Sequence, residues 1–470
     1  MKPKIMPRTL LFSVLMLLWY SQTPHLFPDS SLPFNDMHPN FSSLLLKTSD
    51  FIAAHRSERP ESVALTLANQ GEKLGLDKEE AAFIVRQIEG AQKLSQKVPR
   101  WSETPQLVYP PRLSLEQCSS QRAAEYKSQL IEKIKSSNPS SAQREWSMVD
   151  LTGGLGVDFS FIAPHFDCAA YVEQREELVQ LAQHNFPLLG LSQVECRCGD
   201  GVAHLSSMKP VNLVYLDPAR RDENGRKTVR IEDCTPNVLE LLPLLQQKTE
   251  WLLVKLSPML DVHQAIASLG CVSEVHLVAV DGECKEVLLL CHLQIFNSHA
   301  ETSSAQGEKA AEQTIHWCCS SEKGEFSFTS DEEQTTVCPL VSQISGYLYE
   351  PDAAVMKAGA YKTFGVRYGL QKLHPNTHLY IGDEARVDIP ARCFRIVEVV
   401  GFQKKALRSI TALKKANLTV RNFPTTVADL RKRLKLAEGG EYYLFACTTA
   451  NEDKVIIITE KATTSSVAAQ

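Results

Sequence analysis

Thirteen cysteines are scattered over 470 residues without one C-x-x-C pair. Only Cys196-x-Cys198 and the adjacent Cys318 and Cys319 lie close together. An odd, dispersed set speaks against a disulfide framework or a zinc site and favours reduced thiols that pack as small apolar side chains. A cationic excess is missing too. The formal net charge is -5, so nothing draws the whole chain toward nucleic acid, and any polyanion contact must come from a local basic surface. Long apolar runs are also scarce, for the stretch from Leu10 to Tyr20 is too short for a membrane span. A composition of 43% hydrophobic and 22% charged residues excludes a disordered or fibrous protein, and the length suffices for two or three domains.

Lys2, Lys4 and Arg8 precede the Leu10–Tyr20 run in the manner of a secretory signal. The cleavage region is poor, because Pro24 follows the small residues Ser21 and Thr23. The expectation is a cytoplasmic protein without stable membrane association, residues 1–40 being a disordered or signal-like segment and Met37 a candidate initiator. Residues 41–100 carry helical spacing broken at Pro60 and near Gly75, which predicts a small helical module. The four prolines between Val98 and Leu113 predict an extended connector, and Ser114–Ser136 reads as one helix.

Between 101 and 295 strand and helix patterns alternate. Predicted strands are 148–151, 169–172, 194–197, 211–216 and 251–255, separated by amphipathic runs such as 175–185, 236–247 and 261–269. Alternation of this kind predicts a doubly wound parallel sheet. Apolar runs at 275–280 and 285–293, joined through Asp281-Gly282, then predict a closing antiparallel hairpin. Residues 296–338 read as a linker with a short strand or two, 339–393 as a small α+β unit, and 394–470 as a separate compact domain with strand, helix, strand, helix, strand, strand.

The chemistry centres on Val149–Asp158, Val-Asp-Leu-Thr-Gly-Gly-Leu-Gly-Val-Asp. A dinucleotide fingerprint beginning at Gly154 would require glycine at 159, where the chain has Phe159. Asp150 followed by Thr152, Gly153, Gly154 and Gly156 instead resembles motif I of class I S-adenosylmethionine (SAM)-dependent methyltransferases. Glu173, one strand-helix unit later, can take the two ribose hydroxyls of an adenosine cofactor, and Asp200 stands where such enzymes contact the adenine amino group. After the fourth strand, Asp217 and the backbone at Pro218 can accept hydrogen bonds from a nucleobase amino or imino group, without a metal. Asp217-Pro218-Ala219-Arg220 resembles the Asp-Pro-Pro-Arg motif of RNA methyltransferases, with Ala219 replacing the second proline. Arg220, Arg221, Arg226, Lys227 and Arg230 place positive charge beside it, where they can bind phosphate or stack on a base. Lys255 and Ser257 follow the fifth strand. No cysteine near that strand end suits covalent chemistry at a pyrimidine C5 atom.

Together with 255–261, 414–424 and 430–436, these residues make the chain resemble the Bacteroidetes-type class I SAM-dependent methyltransferases that end in a THUMP-like domain. The resemblance implies an α/β fold: a Rossmann-like methyltransferase sheet with an N-terminal helical module and C-terminal ferredoxin-like (339–393) and THUMP-like (394–470) domains. It also implies SAM as cofactor and an RNA substrate, tRNA or rRNA. A basic set in the last domain agrees: Lys404, Lys405, Arg408, Lys414, Lys415, Arg421, Arg431, Lys432, Arg433 and Lys435. Two alternatives stay open: a non-catalytic SAM- or RNA-binding protein, and a methyltransferase acting on a protein or small molecule.

Overall fold

The computed structural model describes residues 41–137, 145–219, 230–293, 314–403 and 407–462. The signal-like segment therefore lies outside the described residues, as does much of the expected linker. The chain divides into two compact units, Met1–Asn212 and Leu213–Gln470.

In the first unit the helices Phe41–His55, Pro60–Gln70 and Lys78–Lys97 form the expected module. Its apolar stripe supplies Phe41, Leu45 and Phe83 to a core shared with Leu178 and Leu181 of the helix Glu176–Leu188. The connector is clipped to the same helix. Buried Asn185 accepts from Val108 N at 2.9 Å and donates to Val108 O at 2.8 Å, so one side chain satisfies a strand-like backbone that has no strand beside it. Two expectations need correction. Pro99 opens a short helix, Pro99–Glu103, because proline at the first helical position forfeits no hydrogen bond. The single helix predicted over 114–136 is two, Arg112–Gln117 and Gln121–Ser136, since the Ser120 hydroxyl caps the second by accepting from Ala123 N.

Strands β1 (Ser147–Asp150), β2 (Cys168–Glu173) and β3 (Glu195–Cys198) lie in the order β3-β2-β1 and run parallel. Asp150 ends β1 and Glu173 ends β2, so the acids gather at the carboxyl edge where open α/β sheets bind ligands. A buried ion pair fixes the approach to this edge. Lys127, fully buried on the helix before β1, sits 3.0 Å from Asp158 in the first turn of the helix Val157–Ile162, and the Ser119 hydroxyl donates to the same carboxylate at 2.8 Å.

The unit boundary falls inside β4 (Val211–Leu216). In the second unit β5 (Thr249–Leu256), β6 (Val272–Val280) and β7 (Glu283–His292) follow, with β8 (His316–Ser321) and β9 (Gly324–Thr329), in the order β4-β5-β7-β6-β8-β9. β7 is antiparallel to both β5 and β6, the class I methyltransferase ending. Asp281 and Gly282, at φ 54° and 75°, turn the hairpin as the Asp-Gly pair predicts. β8 and β9, from the stretch read as linker, carry the sheet onward: β8 pairs parallel with β6, and β9 antiparallel with β8.

The stretches expected as two C-terminal units build one sheet. β10 (Tyr347–Pro351), β11 (Gln371–His374), β12 (Thr377–Gly382), β13 (Ala391–Gly401), β14 (Asn417–Arg421), β15 (Tyr442–Thr448) and β16 (Lys454–Lys461) lie in the order β11-β12-β10-β13-β16-β15-β14. The reason is β13, whose 11 residues pair with β10 through Ala391–Arg395 and with β16 through Phe394–Gly401. Among the described residues no helix is long and apolar enough to cross a membrane.

Replacing Lys127 with Met leaves a buried Asp158 without its cation. The expected cost is about 3–5 kcal/mol, read as a lower urea midpoint, with a Lys127→Met/Asp158→Leu double variant regaining much of it. A midpoint unchanged in the single variant would show that the pair contributes nothing.

Candidate active site

The Gly-rich turn is built on β2. Gly153 N donates to Val172 O at 2.9 Å, and Gly156 N closes the turn on Gly153 O at 3.0 Å. A β-carbon at residue 153 would stand 2.3 Å from the ring of Tyr171, which is fully buried and donates its hydroxyl to Gly154 O. Gly156 adopts φ 81°, and a β-carbon there would meet the Phe186 ring at 2.7 Å. Both positions therefore demand glycine for local reasons. Burial, reinforced by the charges of Glu173 and Asp150, pushes the Tyr171 phenol well above its ordinary range, so it stays a neutral donor. Tyr171 was not anticipated. Its one sequence signal is an aromatic residue two positions before the acid of β2.

The three predicted cofactor acids are arranged by the same backbone. Asp150 is buried, and its Oδ1 accepts from Thr152 N at 2.8 Å and from the Thr152 hydroxyl at 3.3 Å. Glu173 accepts from Gly154 N at 2.8 Å through Oε2, and from Arg175 N and Nε at 3.0 and 3.1 Å through Oε1. Gly199 N donates to Glu173 O at 3.0 Å and brings Asp200 beside this edge. Asp200 caps the helix Gly201–Ser207 by accepting from Ala203 N at 2.8 Å, while its second oxygen accepts from Gln174 Nε2 at 2.7 Å. An ionised carboxylate accepts hydrogen bonds and has none to donate. Three at successive strand ends suit a ligand rich in donors, and an α-ammonium, a ribose diol and an adenine amino group are such donors. The residues present thus fit SAM.

In the second unit Asp217 follows β4 directly, and its Oδ2 lies 2.5 Å from the Nζ of Lys255, which is largely buried in β5. Ala219 N donates to Thr235 O at 2.7 Å, and Thr235 N to Ala219 O at 3.0 Å, an isolated antiparallel bridge. Arg220, Arg221, Arg226 and Lys227 lie outside the described residues. Arg230 pairs with Glu232 at 2.9 Å, and the Ser257 hydroxyl accepts from Met259 N at 3.3 Å.

The predicted RNA-binding residues divide. Ala437 N donates to Lys414 O at 2.8 Å, Ala416 N donates to Ala437 O at 3.1 Å, and Arg431 donates to Ala416 O at 3.2 Å. This short bridge joins the exposed Lys414 and Lys415 to the C-terminal end of the helix Val427–Leu434, which carries Arg431, Lys432 and Arg433. The Arg433 guanidinium lies over the Phe402 ring, 4.3 Å from its centre. Arg421 stands at the other end of β14 and pairs at 2.8 Å with Glu350, a buried carboxylate that also takes Arg392. Lys404, Lys405 and the Arg408 side chain lie outside what the structure describes.

A family model described as a ferredoxin-like domain matches residues 347–390, and one described as THUMP domain-like matches 391–461. A solved structure from Porphyromonas gingivalis W83, assigned as a methyltransferase, is 32% identical with a TM-score of 0.73, the match covering 90% of this chain and 98% of that one. Uncharacterised SAM-dependent methyltransferases from two strains of Mycobacterium tuberculosis are each 27% identical over 259 residues, 54% of this chain and 64% of theirs. The chain therefore matches less than two thirds of the length of these curated relatives. It belongs to the methyltransferase family of the Porphyromonas protein, a SAM-dependent one by its other relatives, with ferredoxin-like and THUMP-like segments at its own C-terminus.

Glu173→Ala should weaken SAM or its demethylated product roughly ten- to a hundredfold by calorimetry, the worth of hydrogen bonds to a charged acceptor. Gly153→Ala should lose as much by displacing Tyr171, and a Gly153→Ala variant that binds normally would refute the close packing beneath the turn.

Proposed function

We propose that this protein transfers the methyl group of SAM to a base of tRNA or rRNA. SAM, when bound, supplies an electrophilic methyl group on a sulfonium centre. Asp150, Thr152 and the turn Gly153, Gly154 and Gly156 hold its amino-acid end. Glu173 takes the ribose hydroxyls, and Asp200 the adenine amino group. Asp217 and the carbonyl of Pro218 accept from the amino or imino group of the base and aim its lone pair at the methyl. Lys255 holds the Asp217 carboxylate in place and compensates its charge. Arg220 stacks on or steers the base, and Arg221 contacts phosphate. Lys414, Lys415, Arg431, Lys432 and Arg433 dock the RNA backbone, whereas the ion pair of Arg421 with Glu350 gives that residue a positioning part. Residues 41–100, 101–295, 339–393 and 394–470 would serve as helical module, methyltransferase, ferredoxin-like and THUMP-like domains.

The observation that carries the RNA reading is the bridge between residues 414–416 and 437. It gathers two basic runs at one end of the C-terminal sheet of a protein whose net charge is -5. Surface charge collected against the average of the chain fits a polyanionic partner.

Modified nucleosides from wild-type and deletion-strain RNA, compared by mass spectrometry, should differ by one methylated species that purified enzyme and SAM restore. In that assay Asp217→Asn should lower turnover by about a hundredfold or more with SAM affinity unchanged. Lys414→Glu/Lys432→Glu/Arg433→Glu should weaken RNA binding and flatten its salt dependence by about 0.7 per lost phosphate contact. Transfer to a protein or small molecule alone overturns the RNA reading, and full transfer to RNA by the triple variant overturns the docking surface.

A further inference from the structure

The parallel pair β6 and β8 presents a second constellation, remote in sequence from the residues above. Glu274 and His276 lie two residues apart on β6, so their side chains share one face, and the register places His276 opposite Cys318 of β8. A carboxylate oxygen, an imidazole nitrogen and a thiol sulfur from these three residues all come within 4.8 Å of one another, with Glu274 Oε2 3.2 Å from His276 Nε2. His276 is buried, while Glu274 and Cys318 are half-exposed, so the cluster has a firm floor and an open side. An ion pair between Glu274 and His276 accounts for two of these groups. A thiol from the adjacent strand converges on the same point.

The geometry points to a Zn²⁺ site formed by Glu274, His276 and Cys318, with water in the fourth position. An ion at the centre of a triangle no wider than 4.8 Å lies within about 2.8 Å of each corner, against about 2.0–2.3 Å in zinc complexes. Closing that gap asks for a shift of less than about 1 Å at each ligand atom. Mixed oxygen, nitrogen and sulfur donors exclude calcium and magnesium, which take oxygen ligands, and suit a borderline-soft ion that accepts tetrahedral coordination. Binding displaces the thiol proton, because the thiolate is the ligand. The same registers run from Cys318 through His276 and Leu288 to Lys255, which puts the site on the sheet face of the candidate catalytic lysine, about 10 Å away from His276 at two strand spacings and about 14 Å from Cys318 at three. The ion would staple the β8–β9 hairpin to β6. A structural role of this kind needs no part in methyl transfer.

The test uses the full chain, untagged and stripped with chelator, titrated with Co²⁺ as a spectroscopic probe and then with Zn²⁺. The expected result is one equivalent of Co²⁺ bound with a thiolate-to-cobalt charge-transfer band, displaced by Zn²⁺, and a higher melting temperature for the zinc-loaded protein. Cys318→Ser, a conservative change at a half-exposed residue, should abolish the band. Glu274→Gln should weaken Zn²⁺ at least tenfold, and Cys198→Ser, removing an exposed thiol elsewhere, should leave both unchanged. Circular dichroism establishes that each variant is folded. A band that survives Cys318→Ser, or no stoichiometric Co²⁺ or Zn²⁺ binding by the wild-type chain, overturns the assignment. Failure here leaves the SAM and RNA measurements untouched, since none of them requires the metal.

Discussion

The structure of the first unit depends on how closely the Gly-rich turn lies against β2. The Gly153 amide reaches Val172, the Tyr171 hydroxyl reaches Gly154, and no β-carbon fits between turn and ring. Because the turn is pressed down, its next amide meets Glu173, and because Glu173 is held, Gly199 and then Asp200 follow. The acids are thus consequences of one packing contact rather than three independent placements. The buried Lys127 and Asp158 secure the same turn from its other end by fixing the helix that leaves it.

That dependence gives the site its chemical economy. Each acid already accepts a hydrogen bond from backbone or side chain, which orients its carboxylate before a ligand arrives and removes ordering entropy from the binding step. Lys255 performs the same service for Asp217 in the second unit. Preorganised acceptors suit methyl transfer, where the reacting atoms need alignment and no bond to the protein is made.

Strand ends and acids were legible in the sequence because both are local. An apolar run that stops at Asp, Glu or Gly announces its own edge, and β4 is read from Val211–Leu216 to the residue. What could not be read depends on distant partners. Tyr171 looks like any strand aromatic until the turn lies on it. Arg421 looks like part of a basic surface until Glu350, 71 residues earlier, reaches it. β8, His-Trp-Cys-Cys-Ser-Ser, has no clean alternation and so gave only a weak strand signal before it paired with β6. The Cys318 thiol was discounted for the same reason, since spacing along the chain cannot reveal a ligand set shared between strands.

The long strand β13 has a mechanical consequence. It lies wholly in the segment matched as THUMP domain-like, yet it pairs along Ala391–Arg395 with β10 of the segment matched as ferredoxin-like, so one sheet runs through both. Cutting between them would bare two unsatisfied strand edges, each an invitation to aggregate. The strands from Tyr347 to Lys461 therefore stand or fall together as a single seven-stranded sheet.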